Sequence, residues 1–189
     1  NEERELTITG YAEFTNSSNY EQDQVNLQYS QFITRTCFRE NRIRQMIHGN
    51  LDGLGEDEDI DNKVIIERFF GLAGAPVTSY CGSKEKFIGR YHGYGNPVGV
   101  ESGKLSGEMN YNGNSCGALA TVIRLAPGEE RQIAFLLGMK YEEEASAIVV
   151  AYEDTKAVCD AQTEELITYW HEKLSHFQVK TPSKEFDIM

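Results

Sequence analysis

The sequence predicts a mainly β fold, an antiparallel β-sandwich followed by two helices, on the strength of three patterns. Apolar and polar residues alternate with period two in short runs up to Met139, as half-buried strands require. From Glu142 onward the apolar residues recur at helical spacing instead. Between these regimes lies one long stretch, Phe87 to Leu119, that fits neither period.

At 189 residues the chain suffices for one substantial core, and two full domains would be cramped. A formal net charge of -12 argues against nucleic acid and against an anionic membrane surface, which both need a cationic footprint. No run approaches the about 18 apolar residues of a membrane helix, and no basic-then-apolar signal segment opens the chain. Cys37, Cys81, Cys116 and Cys159 are scattered without zinc spacing or a dense disulfide framework, so a reducing, cytoplasmic setting is expected.

Taken in order, Leu6, Ile8, Gly10, Ala12 and Phe14 alternate with Thr7, Thr9, Tyr11 and Glu13 as a half-buried strand. That strand is under way with no turn before it, so the chain reads as a fragment of something longer. A polar stretch, Thr15 to Gln22, should reverse the chain. The next run puts Val25, Leu27 and Tyr29 on one face and Gln24, Asn26, Gln28 and Ser30 on the other. Uncharged hydrogen-bonding side chains suit sugar hydroxyls, and they suit an ordinary solvated strand face as well. Ile43 to Ile47 is a short strand. The acidic run Glu56 to Asp59 with Asp61 opens like a calcium loop, but Asn62 replaces the required glycine and Arg68 the closing glutamate. It reads as a solvated loop. Val64 to Ile66 with Phe69 and Phe70 reads as a strand buried on both faces.

The stretch from Phe87 to Leu119 is rich in Gly, Asn and Tyr and longer than most loops. Its aromatic content argues against disorder, so it is expected to be a structured excursion from the β scaffold. Leu119, Thr121, Ile123 and Leu125, then Ile133, Phe135, Leu137 and Met139, flank Ala126-Pro127-Gly128-Glu129 and predict a hairpin about a type II turn. Glu142 to Glu144 suit a helix N-terminus, with Ala145, Ile148, Val149 and Tyr152 at helical spacing behind them. A second helix carries Leu166, Tyr169, Trp170, Leu174 and Phe177 on one stripe, and Pro182 bars its continuation. That stripe must face the sandwich or a further domain.

Little catalytic apparatus can be assembled. His171 and His176 are five apart and share no helix face, so they form no helical metal pair, and His48 and His92 stand alone. There is no nucleophile elbow and no phosphate-binding loop. Gly93-Tyr94-Gly95 begins a dinucleotide-like pattern, but Asn96-Pro97 follows and no helix is expected there. Counting alone leaves a paired-carboxylate glycosidase open.

Tyr11-Ala12-Glu13-Phe14 followed by Asp23, Asn26 and Gln28 resembles the amino-terminal domain of the inverting glycoside phosphorylases, the cellobiose and chitobiose phosphorylase family (glycoside hydrolase family 94). So do Phe87-Ile88-Gly89 with Tyr91, Asn96-Pro97, Val100-Glu101 with Gly103, and Cys116-Gly117 with Leu119. Leu125, Pro127-Gly128-Glu129, Leu137-Gly138, Trp170 and Phe177-Gln178-Val179-Lys180 with Pro182 follow in family order.

The resemblance implies a large supersandwich of galactose-mutarotase-like fold, joined by a two-helix linker to an (α/α)6 catalytic barrel. On that reading residues 1–141 are the later part of the sandwich, 142–181 the linker and 182–189 the start of the connection to the barrel. The upstream sandwich and the downstream barrel lie outside this chain, so it holds no catalytic residue. The implied reaction is phosphorolysis of a β-linked disaccharide to an α-sugar 1-phosphate with inversion, using inorganic phosphate as co-substrate and no metal or organic cofactor. The family pairs as homodimers, and a sandwich loop reaches the neighbouring subunit's active-site mouth. Asp23, Gln24, Asn26 and Gln28 are the positions that would form this substrate rim. Asn50 to Asn62 and Phe69-Phe70-Gly71 depart from the family pattern, which leaves cellobiose, chitobiose, laminaribiose, cellobionic acid or longer β-glucans open. The competing reading is a stand-alone carbohydrate-binding or dimerisation module without enzymatic activity. A mutarotase-like epimerase fits least, for want of a suitably placed His pair.

Overall fold

The computed structural model describes residues 2–15, 34–47, 66–176 and 180–183. Among them run β1 (Arg4–Glu13), β2 (Thr34–Arg39), β3 (Arg42–Ile47), β4 (Ile66–Ala73), β5 (Ser79–Ser83), α1 (Lys84–Ile88) and α2 (Val98–Glu101). Then follow β6 (Ser115–Leu125), β7 (Ala134–Tyr141), α3 (Glu142–Ala151) and α4 (Thr155–Ser175). The strands form two antiparallel sheets, ordered β1-β6-β5 and β2-β3-β4-β7. The expected mainly β, sandwich-like architecture is present.

The first sheet gives Ala12, Phe14 and Leu119 to a core shared with Ile43, Phe70, Leu72 and Phe135 of the second. Each large side chain fully buried there contributes roughly 1.5–3 kcal/mol. Two glycines set the spacing of the sheets. A Cβ at Gly117 would strike the Phe70 side chain, and one at Gly10 would strike the Phe135 ring. Phe70 and Phe135 stack with centroids 5.6 Å apart, filling the space those glycines leave.

β6 is central in its sheet and covered on both faces. Leu119 serves the sandwich core, while Cys116, Ala118 and Ala120 point the other way toward Cys81, Phe87 and Leu105. Small residues on that outer face let α1 and the excursion pack closely. Tyr11 stacks on Phe87 with centroids 4.4 Å apart, so part of the β1 face that alternation assigns to solvent is covered.

The outer face of the second sheet packs on α3, where Phe69 meets Ala145 and Val149. Tyr141 occupies the α3 N-cap with no side-chain cap hydrogen bond. Glu142 in the first turn is instead held by Arg39 Nη1 at 2.8 Å and Arg44 Nη1 at 2.5 Å. Glu67 binds Arg42 Nε at 3.0 Å and Arg44 Nη1 at 3.2 Å, and Glu40 binds Arg42 Nη1 at 2.8 Å. These charges couple three strands to the helix. Glu40 and Asn41 both take positive φ in the two-residue turn joining β2 to β3, the geometry of a type I′ hairpin.

Several expectations are corrected. The strands of the predicted hairpin exist, and its turn closes with Glu129 N donating to Ala126 O at 3.0 Å and Gly128 at φ 81°. Yet β6 and β7 do not pair: β6 lies between β1 and β5, and β7 pairs with β4. Both edges of β6 are taken, so the chain crosses to the other sheet after turning. A single-turn helix, α2, does open after Pro97, contrary to expectation, though it has only four residues. The predicted helix starts agree at Glu142, and α4 ends at Ser175, before Pro182. The run 24–30 and the acidic stretch 56–62 lie outside the described residues.

Candidate functional site

The ends of β1 and β5 and the starts of β2 and β6 converge at one end of the sandwich, where Glu13 pairs with Cys116 and Ser83 with Ser115. Asn110, 4% exposed, ties the convergence together. Its Nδ2 donates to Gly113 O and to Ser115 Oγ, each at 2.9 Å, and its backbone N–H to Thr36 Oγ1 at 2.7 Å. Asn112 N donates to Thr34 O at 3.3 Å, and Phe14 N to Ser115 O at 3.4 Å.

Outside this knot Glu13 collects three donors. Tyr94 Oη and Tyr11 Oη donate to Oε1 at 2.6 and 2.9 Å, and Lys84 Nζ donates to Oε2 at 2.9 Å. Burial pushes the Glu13 pKa up, but the hydrogen bonds from Tyr94, Lys84 and Tyr11 outweigh it and hold the carboxyl below its ordinary range. For Lys84 burial acts downward and is outweighed by its bonds to Tyr94 and Glu13, leaving the ammonium above its usual value. Burial, then the bond to Glu13, pushes the Tyr11 phenol up. At neutral pH Glu13 is therefore a carboxylate with its acceptors engaged, which makes it a poor general acid. The cluster positions rather than reacts.

What it positions is the loop 89–96. His92 N donates to Gly89 O at 3.4 Å, Gly93 N to Asn96 Oδ1 at 3.2 Å, and the His92 Nδ1–H to Asn96 O at 2.8 Å. Since a carbonyl only accepts, this bond places a proton on Nδ1, and Glu101 Oε2 lies 3.5 Å from the same nitrogen. Tyr91 holds φ 63°, an uncommon conformation for a bulky residue, and its side chain is fully in solvent. Tyr94 is 64% exposed despite its bond to Glu13. A cavity of about 380 Å³ lies alongside, lined by Lys84, Ile88, Arg90, His92, Tyr94 and Asn114 among others.

A larger hollow of about 500 Å³ follows α4 past Cys159, Gln162, Leu166 and Tyr169. Its described lining comes from one helix alone. Leu166, Tyr169, Trp170 and Leu174 are all exposed on that helix. Among the described residues no group of His, Cys, Asp or Glu is placed to hold a metal ion, and no helix is long and apolar enough to cross a membrane.

The predicted rim residues Asp23, Gln24, Asn26 and Gln28 lie outside the described residues. The described chain on either side of them is fastened through Phe14 and Thr34 to the segment 112–115 at this end of the sandwich. Sequence reasoning missed the roles of Glu13, Lys84 and Tyr94. Tyr11 and Glu13 share a strand face two residues apart, but Lys84 and Tyr94 stand 71 and 81 residues beyond Glu13 and arrive only through the fold.

The supersandwich domain of glycosyl hydrolase 94 matches residues 1–155, from before β1 through α3. The chain is 29% identical over 187 residues to the N,N'-diacetylchitobiose phosphorylase of Vibrio proteolyticus, covering 98% of this chain and 22% of that protein. It is 27% identical over 186 residues to the N,N'-diacetylchitobiose phosphorylase of Vibrio furnissii, with the same shares covered. A third relative, the cyclic beta-(1,2)-glucan synthase NdvB of Rhizobium meliloti, is 32% identical over 123 residues, 64% of this chain and 4% of that protein. The chain thus spans about 22% of the length of either phosphorylase. With two antiparallel sheets and a match running across both of them, the chain belongs to the glycosyl hydrolase 94 supersandwich domain family.

Proposed function

We propose that this chain is the non-catalytic sandwich segment of a glycoside phosphorylase that cleaves a β-linked glucosyl disaccharide, cellobiose-type, with inorganic phosphate. The observation behind this reading is the alignment of 98% of the chain with two enzymes named as disaccharide phosphorylases. Phosphate attacks the anomeric carbon while a carboxylic acid in a downstream barrel protonates the leaving sugar, giving an α-sugar 1-phosphate with inversion. No metal or organic cofactor is needed for that step. The relatives' names keep N,N'-diacetylchitobiose beside cellobiose as a candidate substrate.

Within such an enzyme the segment serves homodimerisation in the cytoplasm and shapes the substrate mouth of the neighbouring subunit. Asp23 fixes a loop, and Gln24, Asn26 and Gln28 offer amides to the acceptor sugar. The fastening of Phe14 and Thr34 at one end of the sandwich supports a shared origin for this loop and the Tyr94 loop. Phosphorolysis assays on the parent protein with both disaccharides test the reaction, and the 189-residue chain alone is expected to release no sugar phosphate. Asn26→Ala in the parent should raise the KM for the acceptor sugar in synthesis; unaltered kinetics would remove the rim role.

A stand-alone carbohydrate-binding module is the second reading, favoured by the exposed Tyr91 and Tyr94. Turnover by the parent protein separates the two.

A further inference from the structure

We propose that the cavity between α1 and the loop 89–96 is a carbohydrate-contact site, built from residues other than those of the predicted rim. In it Tyr94 stacks on the C–H face of a β-linked sugar while Arg90, His92 and Asn114 hydrogen-bond its hydroxyls.

Three features of the cavity converge on this. The first is chemical mixture. Sugars bind where an aromatic or apolar wall meets a few convergent donors and acceptors, and cavities of this size class hold small ligands. Here Ile88 and Tyr94 supply the wall, and the Arg90 guanidinium and the His92 imidazole supply hydrogen-bonding groups. Asn114 and Glu85 are already joined, Nδ2 to Oε1 at 2.9 Å, which fixes the orientation of the amide.

The second feature is preorganisation. A half-exposed tyrosine normally loses rotamer freedom on binding. Tyr94 does not have to, because its hydroxyl is pinned to Glu13 at 2.6 Å and Lys84 Nζ lies 5.3 Å from its ring centroid. One side of the ring carries the ammonium, and the ring still keeps most of its area in water.

The third is backbone strain. Tyr91 at positive φ lies in the middle of the loop, flanked by the lining residues Arg90 and His92. Such strain persists only where surrounding bonds enforce it, and here the His92, Gly93 and Asn96 bonds do so. The conformation throws residue 91 outward and turns 90 and 92 toward the cavity.

The choice of a β-linked sugar rests on the proposed phosphorylase function; the site itself rests on the geometry. Calorimetric titration of the full chain with cellotetraose, laminaritetraose and chitotetraose is the test. At least one sugar is expected to bind weakly at a single site. Tyr94→Ala should weaken it by about tenfold or more, a loss of about 1.4 kcal/mol. Tyr94→Phe keeps the ring but loses the bond to Glu13, so its affinity should fall between those of the unaltered chain and Tyr94→Ala, and Tyr111→Ala, an exposed tyrosine outside the cavity lining, should not matter. Unchanged melting temperatures exclude misfolding. No binding of any of the three sugars, or equal binding by Tyr94→Ala, overturns the proposal. Either result leaves phosphorolysis by the parent protein untouched, whereas binding without phosphorolysis sinks the phosphorylase reading and spares this one.

Discussion

Arg42 Nε donates to Glu67 Oε1 at 3.0 Å, and neither side chain has appreciable contact with solvent. Removing the charge from one member of a buried pair costs about 3–5 kcal/mol, because the other stays buried without compensation. Glu67→Gln should therefore lower stability by about 3 kcal/mol, read by urea denaturation. Arg42→Met combined with Glu67→Leu should recover most of that loss, since Arg44 retains Glu142. A double variant as unstable as Glu67→Gln would show that the pair is net stabilising.

Gly117→Ala puts a methyl group into the Phe70 side chain, which cannot retreat because Phe135 is stacked behind it. Overpacking of this kind costs about 1–3 kcal/mol. The closest atoms are Cβ and Cγ of Phe70, which Phe70→Leu retains, so that change in the Gly117→Ala background should recover little of the lost melting temperature. A melting temperature unchanged by Gly117→Ala would show that the two sheets part there at no cost.

The Ser146 hydroxyl, then Arg42, hold the Glu40 pKa down from 4.5 to about 2. A depressed folded-state pKa contributes stability above the unfolded value and loses it as pH falls toward the folded one. Glu13 acts with the same sign. Melting temperature should decline as pH drops below 4.5, and the gap between the parent chain and Glu40→Gln should close toward pH 2. A gap of constant width would mean the charge of Glu40 contributes nothing.

Trp170, the one tryptophan of the chain, is about half exposed on α4 beside Tyr169. Acrylamide should quench its fluorescence readily in this chain. In the longer phosphorylase proposed above quenching should weaken, because an apolar helix stripe of this width marks a covered surface. Equal quenching in both would leave the stripe without a partner.

Legibility in the sequence followed how local each cause is. The β1 alternation, the α3 start and the Pro127-Gly128 turn depend on neighbouring residues and were all readable. The pairing of β6 was not, since turn chemistry fixes a reversal and says nothing about which sheet edges are already occupied. β2 was missed because its buried positions include Thr34 and Thr36, and its turn at Glu40-Asn41 lacks a glycine. β5 was missed because it is five residues long with Gly82 inside, where a Cβ would strike Thr36. The Glu13, Lys84 and Tyr94 cluster is assembled from three distant segments, and no spacing rule in one sequence announces it.

The register of β1 on β6, from Arg4 against Leu125 to Glu13 against Cys116, also sets a timetable. At about 5–20 residues per second, a ribosome that has released β1 needs on the order of ten seconds to release its partner. Throughout that interval β1 waits without the strand it pairs with among the described residues. Assembly of the first sheet is thus late and long-range, which slows folding and exposes the nascent chain to mispairing. The pairing of β1 with β6 is most exposed during synthesis, and a chaperone that shields β1 until β6 emerges would act where this long-range register is weakest.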